Sequence, residues 1–138
     1  MDKSRCPFEK TITSAQCGCE LAQRYAIAER LGVQCGSALA AANCRMFIDL
    51  VRSHSRFALK ITDTREALPF GKELKVMVGG ARGLQRLIDP ETSIDTVSNI
   101  HGLIQQAQQQ FGSLTNLPFA EIVKSVAAHR PRRRAKNG

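Results

Sequence analysis

Residues 68–89, LPFGKELKVMVGGARGLQRLID, decide the fold class, because they can form one long helix or a strand followed by a helix. As one helix, the segment places its apolar side chains on one face at steps of three and four. These are Phe70, Leu74, Met77 or Val78, Ala81, Leu84 and Ile88. The alternative is a short strand from Leu74 to Val78. The three glycines at 79, 80 and 83 each disfavour an exposed helix by about 1 kcal/mol, but they let a second helix pack closely. We favour the helix.

Two helices are predicted before this stretch. Leu21, Tyr25 and Ala28 share one face after Glu20, and Gly32 is placed to end that helix. Ser37 is a good N-cap for the second helix, which carries a long apolar stripe. The stripe consists of Leu39, Met46, Phe47, Leu50, Val51, Phe57 and Ala58.

Two further helices are predicted after the stretch. Asp89-Pro90 starts the first, and Gly112 closes it. Its apolar residues are Val97, Ile100, Ile104, Ala107 and Phe111. Pro118 opens the last helix and Pro131 stops it, with Phe119, Ile122, Val123 and Val126 directed inward. The sequence therefore predicts an all-α fold, a small helical bundle with an irregular cysteine-bearing N-terminal segment.

The length of 138 residues fits a single helical domain over residues 1–129, whose cysteine-bearing part is 1–44. The formal net charge is +8, but the last ten residues, HRPRRRAKNG, hold five basic side chains and no acidic one. We expect residues 130–138 to be a basic, disordered tail. The sequence shows neither a secretory signal nor an apolar run of membrane-spanning length. These features predict a cytoplasmic protein that does not insert into membranes and whose thiols stay reduced.

All five cysteines lie within the first 44 residues, which favours a binding site. An odd number fits a closed disulfide framework poorly, and no Cys-x-x-Cys of a thiol–disulfide oxidoreductase is present. Structural zinc prefers close pairs, and the chain has only Cys17-Gly18-Cys19. An iron–sulfur cluster takes thiolate ligands and can be reached from separate segments. A four-iron cluster is the favoured cofactor, zinc is the second candidate, and burial as small apolar residues is the third interpretation.

We expect Cys6, Cys19, Cys35 and Cys44 to bind this cluster, with Cys17 as a spare metal ligand. Cys6 precedes proline, as the last ligand of the bacterial ferredoxin run does. Cys19 lies at the start of the first predicted helix, where the helix dipole lowers a thiol pKa. Four arginines could offset the negative charge of the cluster, namely Arg5, Arg24, Arg30 and Arg45. The three histidines are interpreted as surface or core residues; they are His54, His101 and His129.

The stretches CPFEK, GCELAQRYAIAERLGVQC and VGGARGLQRLI resemble small cysteine-bearing proteobacterial proteins of nitrogen fixation, the nitrogenase-associated factor T family. The resemblance spans most of the chain and assigns no functional residue. It implies a cytoplasmic, non-catalytic protein that docks on the molybdenum–iron component of nitrogenase during assembly, protection or repair. The predicted function is thus an accessory protein that binds an iron–sulfur cluster and docks onto a larger redox metalloenzyme or electron-transfer protein.

An alternative hypothesis is an RNA-binding module. Gly80, Arg82 and Gly83 belong to a Gly-x-x-Gly segment like the loop that clamps a nucleic-acid backbone in KH domains, and Arg86 and the basic tail add charge. A KH domain needs a three-stranded sheet, however, and aromatic residues that could stack on bases are few. Catalysis is not predicted, because no paired carboxylates, Ser–His–Asp pattern or phosphate-binding loop is present.

Overall fold

The structure is a computed structural model, and it describes residues 4–28, 30–56, 70–92 and 96–128. In these ranges the chain forms three strands, five α-helices and one 3-10 turn. In chain order they are β1 (Ser4–Arg5), α1 (Glu9–Thr13), β2 (Ala22–Ile27), β3 (Arg30–Cys35), α2 (Ala38–His54), α3 (Phe70–Ile88), α4 (Ile100–Phe111), the 3-10 turn (Leu114–Asn116) and α5 (Phe119–Ala128).

The prediction of an all-α fold is wrong, because the N-terminal third contains an antiparallel sheet with strand order β1-β3-β2. Strands β2 and β3 form a hairpin whose register runs from Ala22 opposite Cys35 to Ile27 opposite Arg30. The short β1 pairs with the other edge of β3, with Ser4 opposite Cys35. The fold is therefore mixed, with most residues in helices and a small sheet at one end.

The hairpin replaces the helix that was predicted to follow Glu20 and to end at Gly32. Strand β2 lies at the edge of the sheet, and only Ala22 and Tyr25 are half-buried while their neighbours are exposed. Burial at every third position imitates a helical period. Gly32 does not end a helix; it lies opposite Tyr25, and a Cβ there would be 2.3 Å from the tyrosine ring. The ring covers a strand glycine, a pairing known from natural and designed sheets.

The helical interpretation of the middle segment is confirmed, since α3 is one continuous helix of 19 residues. Its glycines allow close packing on two sides. A Cβ at Gly79 would lie 2.6 Å from Cα of Val126, and one at Gly83 would lie 3.2 Å from Cα of Ile122, both in α5. A Cβ at Gly80 would lie 3.1 Å from a methyl group of Val51 in α2. Helix α3 is therefore the centre of the helical layer.

Helix α2 begins as predicted, because the Ser37 hydroxyl accepts a hydrogen bond from the Ala40 backbone N–H at 3.2 Å. Its predicted apolar stripe is right only in part. Phe47 and Val51 are buried, whereas Leu39 and Met46 are exposed. The predicted members Phe57 and Ala58 lie outside the described residues.

The two C-terminal helices also agree in part with the sequence. Helix α4 begins at Ile100, ten residues after the predicted Asp89-Pro90 start, and it ends at Gly112 with φ 85° as expected. Helix α5 buries Phe119, Ile122 and Val126. The predicted stop at Pro131 and the tail 130–138 lie outside the described residues.

Within the described part of the chain, no helix combines the length and the apolar character needed to cross a membrane.

Candidate metal centre

Four of the five cysteines line one pocket where the sheet meets helices α2 and α4. They are Cys6, Cys19, Cys35 and Cys44, the residues that the sequence predicted as cluster ligands. The other wall residues are Pro7, Phe8, Ala22, Ala40, Ile100 and His101. Up to its open mouth, the pocket contains about 290 Å³ of space between atoms. The fold therefore brings together four thiols that come from four separate segments.

Cys6 is held by backbone hydrogen bonds on both sides. Its N–H donates to the Val33 carbonyl at 3.0 Å, which extends the pairing of β1 with β3. The backbone N–H of Phe8 donates to the Cys6 sulfur and partly offsets the rise of its pKa. A donor two residues after a cysteine, beyond a proline, suits a metal thiolate because hydrogen bonds to sulfur stabilise negative charge.

Glu9 connects the segment of Cys6 to the strand of Cys35. Its Oε2 accepts a hydrogen bond from the Val33 backbone N–H at 3.0 Å, and its Oε1 accepts one from Arg5 Nε at 2.6 Å. Cys35 ends β3, and its thiol donates to the Ser37 carbonyl at 3.2 Å. The first turn of α1 thus fixes the relative position of two pocket cysteines.

The loop Cys17-Gly18-Cys19 directs its two thiols to different places. Gly18 donates to the Val97 carbonyl at 2.8 Å and accepts from the Ile100 N–H at 2.9 Å. A Cβ at Gly18 would lie 2.8 Å from the Ser98 carbonyl oxygen, so glycine permits this approach. Cys19 reaches the pocket, while Cys17 is buried in the core with a hydrogen bond to Thr11.

The expected role of a helix dipole at Cys19 is wrong, because Cys19 precedes strand β2 and no helix begins there. Cys17, predicted as a spare metal ligand, is not among the residues that line the pocket. Cys44 comes from the buried face of α2, between Ala41 and Phe47.

Burial shifts the thiols towards their neutral form. It raises the pKa of Cys6 and of Cys17 to about 11, and that of Cys44 to about 12. The charges of Cys19 and Cys35 raise the pKa of both Cys6 and Cys44 further, so the four pocket thiols interact electrostatically. Reactive cysteines of oxidoreductases have lowered pKa values instead. These thiols are suited to binding cations and not to nucleophilic attack at neutral pH.

Metal-ion geometry sets a limit on what the pocket can hold. Within the four described ranges, no group of three or more Cys, His, Asp or Glu side chains is arranged to hold a metal ion. The four thiols surround the pocket without converging on one point. In a four-iron cluster each thiolate binds a different iron, so its ligands need not converge either.

His101 is a pocket residue that the sequence did not indicate. It lies in the first turn of α4, and its Nδ1 is 2.6 Å from Oε2 of Glu20, the residue that follows Cys19. The hydrogen bond with His101 lowers the pKa of the Glu20 carboxyl. The two residues are 81 positions apart, so only the tertiary fold reveals the pair. His54 instead stacks on Phe119, and His129 lies outside the described residues.

The arginines expected to offset cluster charge have different surroundings. Arg45 lowers the pKa of the neighbouring Cys44, as a cation near a thiolate should. Arg5 pairs with Glu9, and Arg24 donates to the Ile12 carbonyl at 3.3 Å. The side chain of Arg30 is outside the described part of the structure.

The residues of the nucleic-acid hypothesis lie inside helix α3 and not in a loop. Gly80 and Gly83 are buried against α2 and α5, respectively, and their role is close helix packing. Arg82 lies close enough to Cys17 to lower its pKa, and Arg86 donates to the Ser125 hydroxyl at 3.4 Å. The exposed Gly-x-x-Gly loop on which the KH comparison depends is absent from this stretch.

Comparisons of the chain with protein-family models, with curated proteins and with solved structures give no match. The resemblance to nitrogenase-associated proteins therefore stays a prediction, and the functional argument depends on the pocket itself.

Proposed function

We propose that the protein is a small cytoplasmic accessory protein that binds an iron–sulfur cluster, with four irons, through Cys6, Cys19, Cys35 and Cys44. It acts without catalysing a reaction of its own, by docking onto a larger redox metalloenzyme in cluster assembly, protection or electron transfer. The observation that carries this proposal is the convergence of four thiols from separate segments on one pocket.

The electrostatics of the thiols support a cationic ligand. Four thiolates in a largely buried pocket repel one another and are poorly solvated, which is why the pKa values of Cys6 and Cys44 are high. Iron ions would compensate both effects, because a coordinating thiol is deprotonated by the metal that it binds. The Phe8 N–H and the Arg45 guanidinium supply additional stabilisation of negative charge.

The apolar walls also fit this cofactor. Phe8, Ala22, Ala40 and Ile100 would limit the access of water to a bound cluster. Burial and hydrogen bonds to sulfur set the reduction potential of such clusters. A pocket with apolar walls and a mouth beside Cys19 could keep a cluster intact until a partner is reached.

The test is anaerobic reconstitution with ferrous iron and sulfide, followed by iron and sulfide analysis and Mössbauer spectroscopy. We expect about four irons and four sulfides per chain, as a cluster with four cysteine ligands requires. Cys44→Ala should lose the cluster. Cys17→Ala is the matched control, because it removes an equally buried thiol that lies outside the pocket. A folded wild-type protein that remains free of iron would refute the proposal.

The partner is the least determined part of the proposal. The sequence resemblance makes the molybdenum–iron component of nitrogenase the first candidate. Co-purification of cluster-loaded protein with that component, compared with the Cys44→Ala variant, tests it. Binding that is equal for both forms, or absent for both, would remove the cluster-dependent docking step.

A further inference from the structure

We propose that one corner of the cluster has two protein ligands within reach, and that its iron can exchange between Cys19 and His101. This inference rests on the proposed function and deepens it. An exchangeable corner is a property of a protein that delivers a cluster, since transfer to an acceptor requires ligands that leave one at a time.

The first argument is the position and orientation of the His101 ring. The ring lines the pocket, and its Nδ1 lies 2.6 Å from the Glu20 carboxylate. Because an ionised carboxylate only accepts hydrogen bonds, Nδ1 carries the proton and Nε2 keeps its lone pair. Metal-bound histidines usually have this arrangement, in which a carboxylate holds the nitrogen that does not bind the metal. Nε2 has no hydrogen-bond partner among the described residues.

The second argument is that Cys19 and His101 belong to one rigid edge of the pocket. The backbone of residues 18–20 is bound to residues 97–100 by three hydrogen bonds. Gly18 N–H donates to Val97, Ile100 N–H donates to Gly18, and the Glu20 N–H donates to the Asn99 side-chain oxygen at 3.0 Å. Glu20 therefore holds the imidazole one residue away from the thiol that it would replace.

The third argument is exposure. Cys19 is half-buried, whereas the other four cysteines are buried. The cluster corner nearest to solvent is therefore the corner of Cys19, where a ligand can leave and take up a proton. Neither Cys6, Cys35 nor Cys44 has this combination of exposure and a carboxylate-held imidazole beside it.

The exchange is a simple ligand substitution. The iron–sulfur bond to Cys19 breaks, and an iron–nitrogen bond to His101 Nε2 forms. Each electron pair stays with its donor atom, and the released thiolate takes a proton from solvent. No oxidant or reductant is consumed.

The experiment compares Cys19→Ala with Cys19→Ala/His101→Ala after anaerobic reconstitution. We expect the single variant to retain a four-iron cluster and the double variant to lose it. In the reduced single variant, isotopically labelled histidine should produce a nitrogen coupling in electron–nuclear double resonance. Adding Glu20→Gln to Cys19→Ala should weaken iron retention by roughly 10–100-fold, because it removes the carboxylate that orients the ring.

Cys35→Ala is the matched control, since it removes a pocket thiol that has no histidine beside it, and it should lose the cluster. Circular dichroism verifies folding, and Cys19→Ser serves as a second variant. Equal loss of iron from the single and double variants, or a retained cluster without nitrogen coupling, would overturn the inference. Wild-type protein that holds four irons distinguishes this failure from a failure of the proposed function.

Discussion

Gly79 of α3 lies against the backbone of Val126 in α5, so close that a Cβ at Gly79 would be 2.6 Å from Cα of Val126. Real Cβ atoms do not approach a backbone atom so closely, and a backbone cannot move aside as a flexible side chain can. The contact explains why a long helix at the centre of the fold tolerates glycines that weaken it as an isolated helix. The two helices can approach each other only because this side chain is missing.

Gly79→Ala is therefore expected to destabilise the protein by roughly 1–3 kcal/mol, the usual cost of overpacking. Gly80→Ala is the matched control, because its Cβ would meet only the methyl groups of Val51. There, the higher helix propensity of alanine, about 1 kcal/mol, offsets much of the contact. Urea unfolding followed by circular dichroism measures both. Equal stability of the two variants would contradict this account of the glycines.

Much of the helical layer could be predicted from the sequence, because its signals are local. The apolar steps of α3, the Ser37 cap and Gly112 at the end of α4 all depend on residues within a few positions of one another. The contact between α3 and α5 was predictable only as a possibility, since glycines permit close packing but do not name the partner helix.

The hairpin could not be predicted in this way. Strand β2 is an exposed edge strand that carries few β-branched residues, so it shows neither the alternation nor the composition typical of strands. Its stability depends on pairing with β3 and on the Tyr25 ring over Gly32. The pocket cysteines were found because clustering in sequence indicated a site. His101 was missed because its link to Glu20 spans 81 positions.

Glu9→Ala is expected to destabilise the protein and to loosen the pocket. The substitution removes the acceptor of the Val33 backbone N–H, and Val33 is fully buried. An unsatisfied buried donor costs about 1–3 kcal/mol. Glu121→Ala is the control, because Glu121 forms only an exposed pair with Lys124, worth about 0–1 kcal/mol. Thermal unfolding compares the two variants, and Cys6 should also be alkylated faster in Glu9→Ala. A Glu9→Ala protein as stable as Glu121→Ala would argue against the clamp.

The stability of the metal-free protein is expected to fall at alkaline pH. In the folded state, burial raises the pKa of Cys6 and Cys17 to about 11 and that of Cys44 to about 12. In the unfolded chain a thiol titrates near about 8.5. Between these values the folded state binds more protons, so the free energy of unfolding decreases as the pH rises. Below about pH 8 both states are protonated, and this stabilisation is fully present.

Each of these thiols lowers the free energy of unfolding by roughly 1.4 kcal/mol per pH unit while only the unfolded form is ionised. Urea midpoints measured from about pH 7.5 to about pH 10 follow this decrease. Cys17→Ala should reduce the slope by about one third, because it removes one of three equivalent groups. A slope that Cys17→Ala leaves unchanged would show that other groups cause the alkaline loss.

The order of thiol alkylation provides the last prediction. At neutral pH, Cys19 should react first with iodoacetamide, because it alone among the five is not buried. Cys6, Cys17 and Cys44 should react much more slowly, since thiolate is the reactive form and burial raises their pKa. Peptide mass spectrometry of timed samples measures the order. Reconstitution with iron and sulfide should then protect Cys19, because coordination occupies its sulfur. If Cys19 stays as reactive after reconstitution as before, although iron is bound, this thiol is not a ligand of the cluster.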